Sequence, residues 1–175
     1  MRIIAGSRKG HRIDAPEGLV TRPTSDRVRE NVFNLVQVWV EDAVVLDLFA
    51  GSGAMGLEAL SRGAERAVFV EAHRDACRVI DRNLEKLRLT GAQVACSDVG
   101  RFVAADTRRY HLVFCDPPYE EYAAFEPTLA RYMPRLLAED GLLVLETAAK
   151  TEPDLPLEQR TTRRYGSARI TLFHR

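Results

Sequence analysis

The sequence carries no excess charge: 25 basic residues balance 25 acidic ones. Any contact with a polyanion must therefore be local rather than a property of the whole surface. Apolar runs are short, and none approaches the ~20 residues that cross a bilayer. Met1-Arg2-Ile3-Ile4 is followed at once by glycine and charged residues rather than by the apolar centre of a signal segment. Together these features read as a cytoplasmic protein with no membrane contact. Cysteine is scarce, with only Cys77, Cys96 and Cys115 and no C-x-x-C pairing. That excludes a disulfide framework and a cysteine zinc site, and the expected state is three buried free thiols. His11, His73, His111 and His174 show no metal-ligand spacing, so no metal is expected. Internal repeats and low-complexity segments are missing. At 175 residues the chain can build one substantial core but not two ordinary domains.

What is present is organised around Val44-Val45-Leu46-Asp47-Leu48-Phe49-Ala50-Gly51-Ser52-Gly53-Ala54-Met55-Gly56. Its unbroken apolar opening fits a strand buried on both faces, as parallel sheets require. Gly51, Gly53 and Gly56 then fit a tight strand-to-helix turn where a ligand approaches the backbone. Asp47 sits inside the strand end. A second apolar run, Ala67 to Val70, ends in Glu71, fifteen residues after Gly56. An acid there is placed to hold a ribose hydroxyl pair. Gly51-x-Gly53-x-x-Gly56 also matches the dinucleotide fingerprint, so the glycines alone do not choose the cofactor.

Taken in order, Arg2 to Gly6 and Gly10 to Ile13 read as a short β-hairpin whose tip carries Arg8 and Lys9. Residues 1–30 hold seven basic and four acidic residues, a basic arm on a neutral whole. A helix follows, capped by Thr24 or Ser25, with Val28, Val32, Leu35, Val36 and Trp39 as its buried stripe and Arg27 and Arg29 on other faces. Further helices are expected over Arg74–Leu89, over Val99–Ala105, and roughly over Tyr122–Ala138, the last started or interrupted at Pro127 and bent near Pro134. Gln93–Cys96, His111–Cys115 and Gly141–Glu146 read as strands. Arg160–Tyr165 and Ala168–Phe173 read as a hairpin. Alternating strands and helices give an α/β fold with a mainly parallel sheet and helices on both faces. Residues 1–20 form a basic hairpin extension and 21–175 the main body, in one globular unit.

A second motif, Leu112-Val113-Phe114-Cys115-Asp116-Pro117-Pro118-Tyr119, is similar to the (Asp/Asn)-Pro-Pro-(Tyr/Phe) signature of enzymes that methylate amino nitrogens. With Asp47-x-Phe49-x-Gly51-x-Gly53 upstream, the pair resembles S-adenosylmethionine-dependent nucleic-acid aminomethyltransferases. Arg22-Pro23-Thr24-x-Asp26-Arg27-Val28-Arg29-Glu30-x-x-Phe33-Asn34 and the opening Arg-Ile-Ile-x-Gly resemble the RsmD family, and the likeness runs over the whole length. The resemblance implies a three-layer Rossmann-like methyltransferase fold with a seven-stranded sheet and an antiparallel edge hairpin. It also implies methylation of N2 of one guanine in small-subunit (16S) ribosomal RNA, presented in a small-subunit particle or assembly intermediate. S-adenosylmethionine is then expected at Asp47, Phe49, Gly51, Ser52, Gly53, Glu71, Asp98 and Val99, with Asp98 on the adenine amino group or serving as a helix cap. Asp116 and the Pro117 carbonyl would accept the two N–H groups of the target amine. Pro117 and Pro118 would fix the loop, and Tyr119 would stack on the base. Arg8, Lys9, Arg12, Arg22, Arg27 and Arg29 are the expected RNA contacts. No obligate protein partner is implied, and a monomer is expected.

Three other readings use the same residues. A nicotinamide-dependent oxidoreductase explains the glycines but leaves Asp-Pro-Pro-Tyr without a role. A non-catalytic RNA-binding protein leaves Asp47, Glu71 and Asp116 without one. Methylation of N6 of adenine, or of a protein glutamine, needs the same chemistry and differs only in substrate.

Overall fold

The computed structural model describes residues 1–17 and 26–175. Arg22 and the expected cap at Thr24 or Ser25 lie outside them. Seven strands form one sheet: β1 (Val44–Leu48), β2 (Arg66–Glu71), β3 (Ala92–Cys96), β4 (Tyr110–Cys115), β5 (Leu137–Ala148), β6 (Glu158–Tyr165) and β7 (Ala168–His174). Their order is β3-β2-β1-β4-β5-β7-β6. β1 pairs with β2 and β4, β2 with β3, and β4 with β5, all parallel. The apolar runs explain this arrangement: β1, β2 and β4 are central strands buried on both faces, and their side chains feed two separate cores.

Helices α1 (Asp26–Val36), α2 (Ala54–Ser61) and α3 (Arg74–Leu87) cover one face, through a core that includes Phe33, Leu57, Phe69, Ile80 and Leu172. Helices α4 (Val99–Ala105) and α5 (Tyr122–Leu136) cover the other, around Val103, Leu129, Met133, Leu145 and Phe173. Ile3 and Ile13 of the N-terminal arm belong to the first core. The layers are those of the expected Rossmann-like methyltransferase fold.

Several details differ from the sequence reading. The antiparallel strand is β7, and it lies inside the sheet, between β5 and the edge strand β6. β6 therefore runs parallel to β5. α5 is continuous through Pro127 and Pro134. Each proline removes one ladder bond, and the buried face of Tyr122, Leu129, Met133 and Leu136 keeps the helix together.

The N-terminal hairpin forms but stays short, with one antiparallel bridge, Arg2 to Arg12, backbone bonds from Ile3 to His11, Gly10 to Ile3 and Ile13 to Met1, and a 3-10 turn at Gly6–Arg8. The reason lies in α2. The carboxylate of Glu58, fully buried, accepts the backbone N–H groups of Ile4 (2.8 Å) and Ala5 (2.9 Å). These donors are bound to a side chain instead of extending a two-stranded ladder. Glu58 also accepts from Arg62 Nε at 2.7 Å, and Arg29 Nε lies 3.7 Å away.

Arg29, expected on the surface as an RNA contact, is fully buried. It donates to Asp26 at 3.0 Å and to the Arg2 carbonyl. The buried face of α1 is Arg29, Val32, Phe33 and Val36, with i, i+3, i+4, i+7 spacing. Relative to the stripe counted from Val28, the helix is turned by one position, and Arg29 faces inward to meet Glu58.

Glu58 thus holds the arm, α1 and α2 together. Replacing it by alanine removes the one buried carboxylate beside Arg29 and leaves that buried cation with only the half-exposed Asp26 as counter-charge. Glu58→Ala is expected to cost about 3–5 kcal/mol in chemical denaturation. It should also open residues 1–17 to protease before the rest of the chain unfolds.

Candidate active site

In a parallel sheet the chain leaves neighbouring strands at one edge. Leu48 of β1 is registered with Val70 of β2 and with Cys115 of β4. The next residues are Phe49, Glu71 and Asp116, so these three stand side by side. Two strand spacings separate the backbones of Glu71 and Asp116, roughly 10 Å. Glu71 is registered in turn with Cys96, which brings Ser97, Asp98 and Val99 to the same rim.

The glycine turn is held from both sides. Glu71 Oε2 accepts the Gly51 N–H at 2.9 Å, and Oε1 accepts the His73 N–H at 2.8 Å. One carboxylate therefore sets both the loop after β1 and the loop after β2. Gly51 has a left-handed φ of 55°, and a Cβ there would meet nothing within 4 Å. That open approach suits a ligand against the backbone. Gly56 serves packing instead, since its Cβ would come within 2.3 Å of the Phe69 ring. Phe49 also adopts a left-handed φ, 59°, unusual for a side chain of its size. Its ring meets Phe125 of α5 edge-on at 5.0 Å. Strained backbone held by packing is characteristic of binding loops.

Asp47 is 3 % exposed and accepts the Gly56 N–H at 2.9 Å. Burial pushes its carboxyl up to about 7; the Gly56 N–H opposes that shift and the nearby Glu71 charge adds to it. A buried carboxylate so disfavoured by its surroundings gains from a bound cation.

Asp98 caps α4, accepting the Arg101 N–H at 2.8 Å through Oδ1. Its side chain is exposed, and Val99 behind it is buried. After β4, Asp116 is partly exposed, Pro117 buried and Pro118 exposed. The Pro118 carbonyl accepts the Glu121 N–H at 2.9 Å, closing the turn. Tyr119 donates its hydroxyl to Glu146 of β5 at 2.9 Å.

Two of these partners escape a reading from spacing. Glu146 stands where β5 reaches the rim, and its link to Tyr119 crosses 27 residues. Asn83 is fully buried on α3 and donates to the carbonyls of Ser52 (3.2 Å) and Asp14 (3.0 Å). It also accepts the Asp14 N–H at 2.8 Å. A polar residue on the apolar face of α3, three positions after Ile80, is the one signal that could have found it.

Of the expected RNA residues, Arg8 and Lys9 stand away from this rim. Arg8 donates to the carbonyls of Leu87 and Arg88, at the C-terminal end of α3, and its N–H bonds Ser61 at the end of α2. α3 starts at the site edge, so its 14 residues place Arg8 and Lys9 about 20 Å from that edge, at 1.5 Å per residue. Lys9, Arg12 and Arg27 are exposed, Arg27 on the first turn of α1. Among the thiols, Cys77 and Cys115 are buried as expected, but Cys96 is exposed, because β3 is the sheet's half-covered edge strand.

Asp47→Asn should keep the Gly56 contact while removing the ionisable proton. In the folded wild type the group titrates near 7 rather than at its ordinary 3.8. The folded state therefore binds more protons in that window, and stability is lost as pH rises through it. The stability gain of the variant over the wild type should grow from pH ~4 to ~7 and level off above, read from denaturation curves at a series of pH values without cofactor.

The family model described as Conserved hypothetical protein 95 matches residues 1–174. Ribosomal RNA small subunit methyltransferase D of Escherichia coli K12 is 37 % identical over 155 residues, covering 89 % of this chain and 75 % of that one. YlbH of Bacillus subtilis 168 is 38 % identical over 184 positions, covering 99 % and 98 %. A solved structure of a Thermus thermophilus protein, 33 % identical, superposes with a TM-score of 0.84 over 98 % of each chain. By sequence along its whole length and by fold, the chain belongs to this family, the RsmD-type methyltransferases.

Proposed function

We propose that the chain methylates the exocyclic N2 of a guanine in small-subunit ribosomal RNA, using S-adenosylmethionine. The Escherichia coli relative's name supports the ribosomal substrate, and the RsmD resemblance supports the guanine. The observation that carries the reaction type is the placement of Asp116 on the same rim as Glu71, roughly two strand spacings (~10 Å) away.

The rim fits the cofactor. Bound there, S-adenosylmethionine supplies an electrophilic methyl group on a sulfonium sulfur. Glu71 has one lone pair on each oxygen engaged by backbone, and a carboxylate has about four acceptor positions, so a ribose hydroxyl pair can still be accepted. Gly51 leaves the backbone approachable next to Ser52, Gly53 turns the chain against Ile80 and Phe69 with a left-handed φ of 79°, and Phe49 borders the turn. Asp47 answers the amino group with the negative charge that burial otherwise disfavours. Asp98 has a second oxygen for the adenine amine, beside the apolar Val99.

On the substrate side, an exocyclic amine is a weak nucleophile because its lone pair is delocalised into the ring. Asp116 accepts one N–H and the Pro117 carbonyl the other. Among the described residues no backbone donor occupies that carbonyl. Two acceptors draw the nitrogen toward tetrahedral geometry and stabilise the positive charge it gains. Pro117 and Pro118 fix the backbone so that these acceptors need no reorganisation. Tyr119, held through its hydroxyl by Glu146, presents its ring to a base that has left its stack.

Two substitutions separate binding from chemistry. Asp116→Ala should leave S-adenosylhomocysteine affinity unchanged and slow single-turnover methyl transfer about a hundredfold or more. Glu71→Ala should weaken that affinity by roughly 1–3 kcal/mol, measured by calorimetry. Near-normal transfer in the first, or normal affinity in the second, contradicts the assigned role.

The substrate is tested by offering labelled cofactor in parallel to small-subunit assembly intermediates, free ribosomal RNA, duplex DNA and protein extract. Label in N2-methylguanosine, strongest with assembled particles, is the expected result. Methylated adenine, methylated glutamine, or equal labelling of random RNA defeats the proposal.

A further inference from the structure

The RNA must reach Asp116 from the side that the cofactor residues leave open. Those residues follow β1, β2 and β3. On the other side of β4 the sheet continues through β5 and β7 to the edge strand β6. Because β6 runs parallel to β5, its C-terminal half ends at the rim of the site. Glu146, the partner of Tyr119, is registered with Ile170, and Ile170 with Arg163. Registered residues share a sheet face, so Arg163 stands on the face of Glu146, two strand spacings or roughly 10 Å away. Arg164 follows on the opposite face. Arg160, nearer the start of the strand, lies over the Trp39 ring at 5.7 Å.

This edge is strongly one-sided in charge. From Gln159 to Arg169 the sequence has four arginines and no acid, in a chain whose net charge is zero. The one acid on β6, Glu158, is at its far end. Arg169 is buried against β5 and paired with Glu152 at 3.2 Å. Arg160, Arg163 and Arg164 are exposed, and among the described residues none of them has an ion-pair partner. Arg163 folds back on its own strand, donating to Thr161 and to the Thr162 carbonyl. Arg8 and Lys9, at the tip of the N-terminal arm, sit by the C-terminal end of α3, away from the rim, and Arg29 is buried.

We infer that the edge strand β6 is the phosphate grip on the substrate side: Arg163 and Arg164 hold the RNA backbone beside the target nucleotide, and Arg160 holds it further along. The inference rests on the RNA-methylating reading of the rim and adds the surface that presents the RNA to it. Phosphate contacts of this kind orient the nucleic acid without reading its bases.

The test uses the full chain and small ribosomal subunits isolated from cells lacking this enzyme. Binding is measured over a salt series for the wild type, Arg163→Ala/Arg164→Ala, Arg163→Lys/Arg164→Lys and Arg8→Ala/Lys9→Ala. Loss of two phosphate contacts should lower the slope of log affinity against log salt by about 1.4–1.8. Affinity at low salt should fall tenfold or more. The lysine pair should keep most of the slope, the Arg8/Lys9 pair should stay closer to the wild type, and S-adenosylhomocysteine affinity should be unchanged throughout.

An unchanged slope in Arg163→Ala/Arg164→Ala, with a wild type that binds and methylates the particles, overturns the grip and leaves the reaction standing. Self-association of that variant with normal RNA binding also overturns it, and assigns the arginines to keeping the sheet edge from pairing. A wild type that methylates no RNA overturns both.

Discussion

Parallel pairing of the strands is the constraint on which everything else in this molecule depends. Parallel strands must each be followed by a crossover, and every crossover begins at the same edge of the sheet. Residues widely separated in sequence, such as Phe49, Glu71, Asp98 and Asp116, are delivered to one rim with no loop long enough to wander. The cost is that both faces must be covered, and the two cores on either side of the sheet meet it. The inner position of β7 follows from the same geometry. It lets the chain return once, and the free edge on that side then belongs to β6, which points the same way as the parallel strands β1 to β5.

Acids fasten this rim as well as serving it. Glu71 binds two backbone N–H groups, Asp47 one and Asp98 one. Each carboxylate is preorganised by bonds that also fix the loop around it, so a ligand meets groups whose positions are already set. Glu58 applies the same device away from the site, binding the arm through its N–H groups. Removing any of these acids therefore alters a loop as well as a charge, which is why binding and stability must be read separately in the variants.

What was legible in the sequence was local. Apolar runs revealed the central strands because burial on both faces leaves no alternation to confuse the pattern. That Glu71 and Asp116 stand at the strand ends was readable because each directly follows such a run. Long-range choices were not legible. The arm read as a hairpin and pairs as one, but nothing near Ile4 or Ala5 says that a carboxylate 53 or 54 positions away will take their N–H groups and hold it to α2. Arg29 looked exposed because a cation reads as polar wherever it falls, and its inward position is made tolerable by Glu58, Asp26 and the Arg2 carbonyl, partners that only the fold brings to it. The closing hairpin was recognised from its alternation, but alternation does not say which arm pairs with β5. Tyr119 was assigned to the base from its motif, while the Glu146 that holds it needed the fold to be seen.

Asn83 has a consequence for how the molecule breathes. Its single side-chain amide bonds the Ser52 carbonyl in the glycine turn and both backbone groups of Asp14, where the arm leaves the core. Neither segment can lift away without breaking contacts that the other shares. Segments that share a buried anchor are coupled in local opening, so a change at Asn83 reaches the turn and the arm's exit together. Though they lie far apart in the chain, the glycine turn and the N-terminal segment hang on one buried anchor.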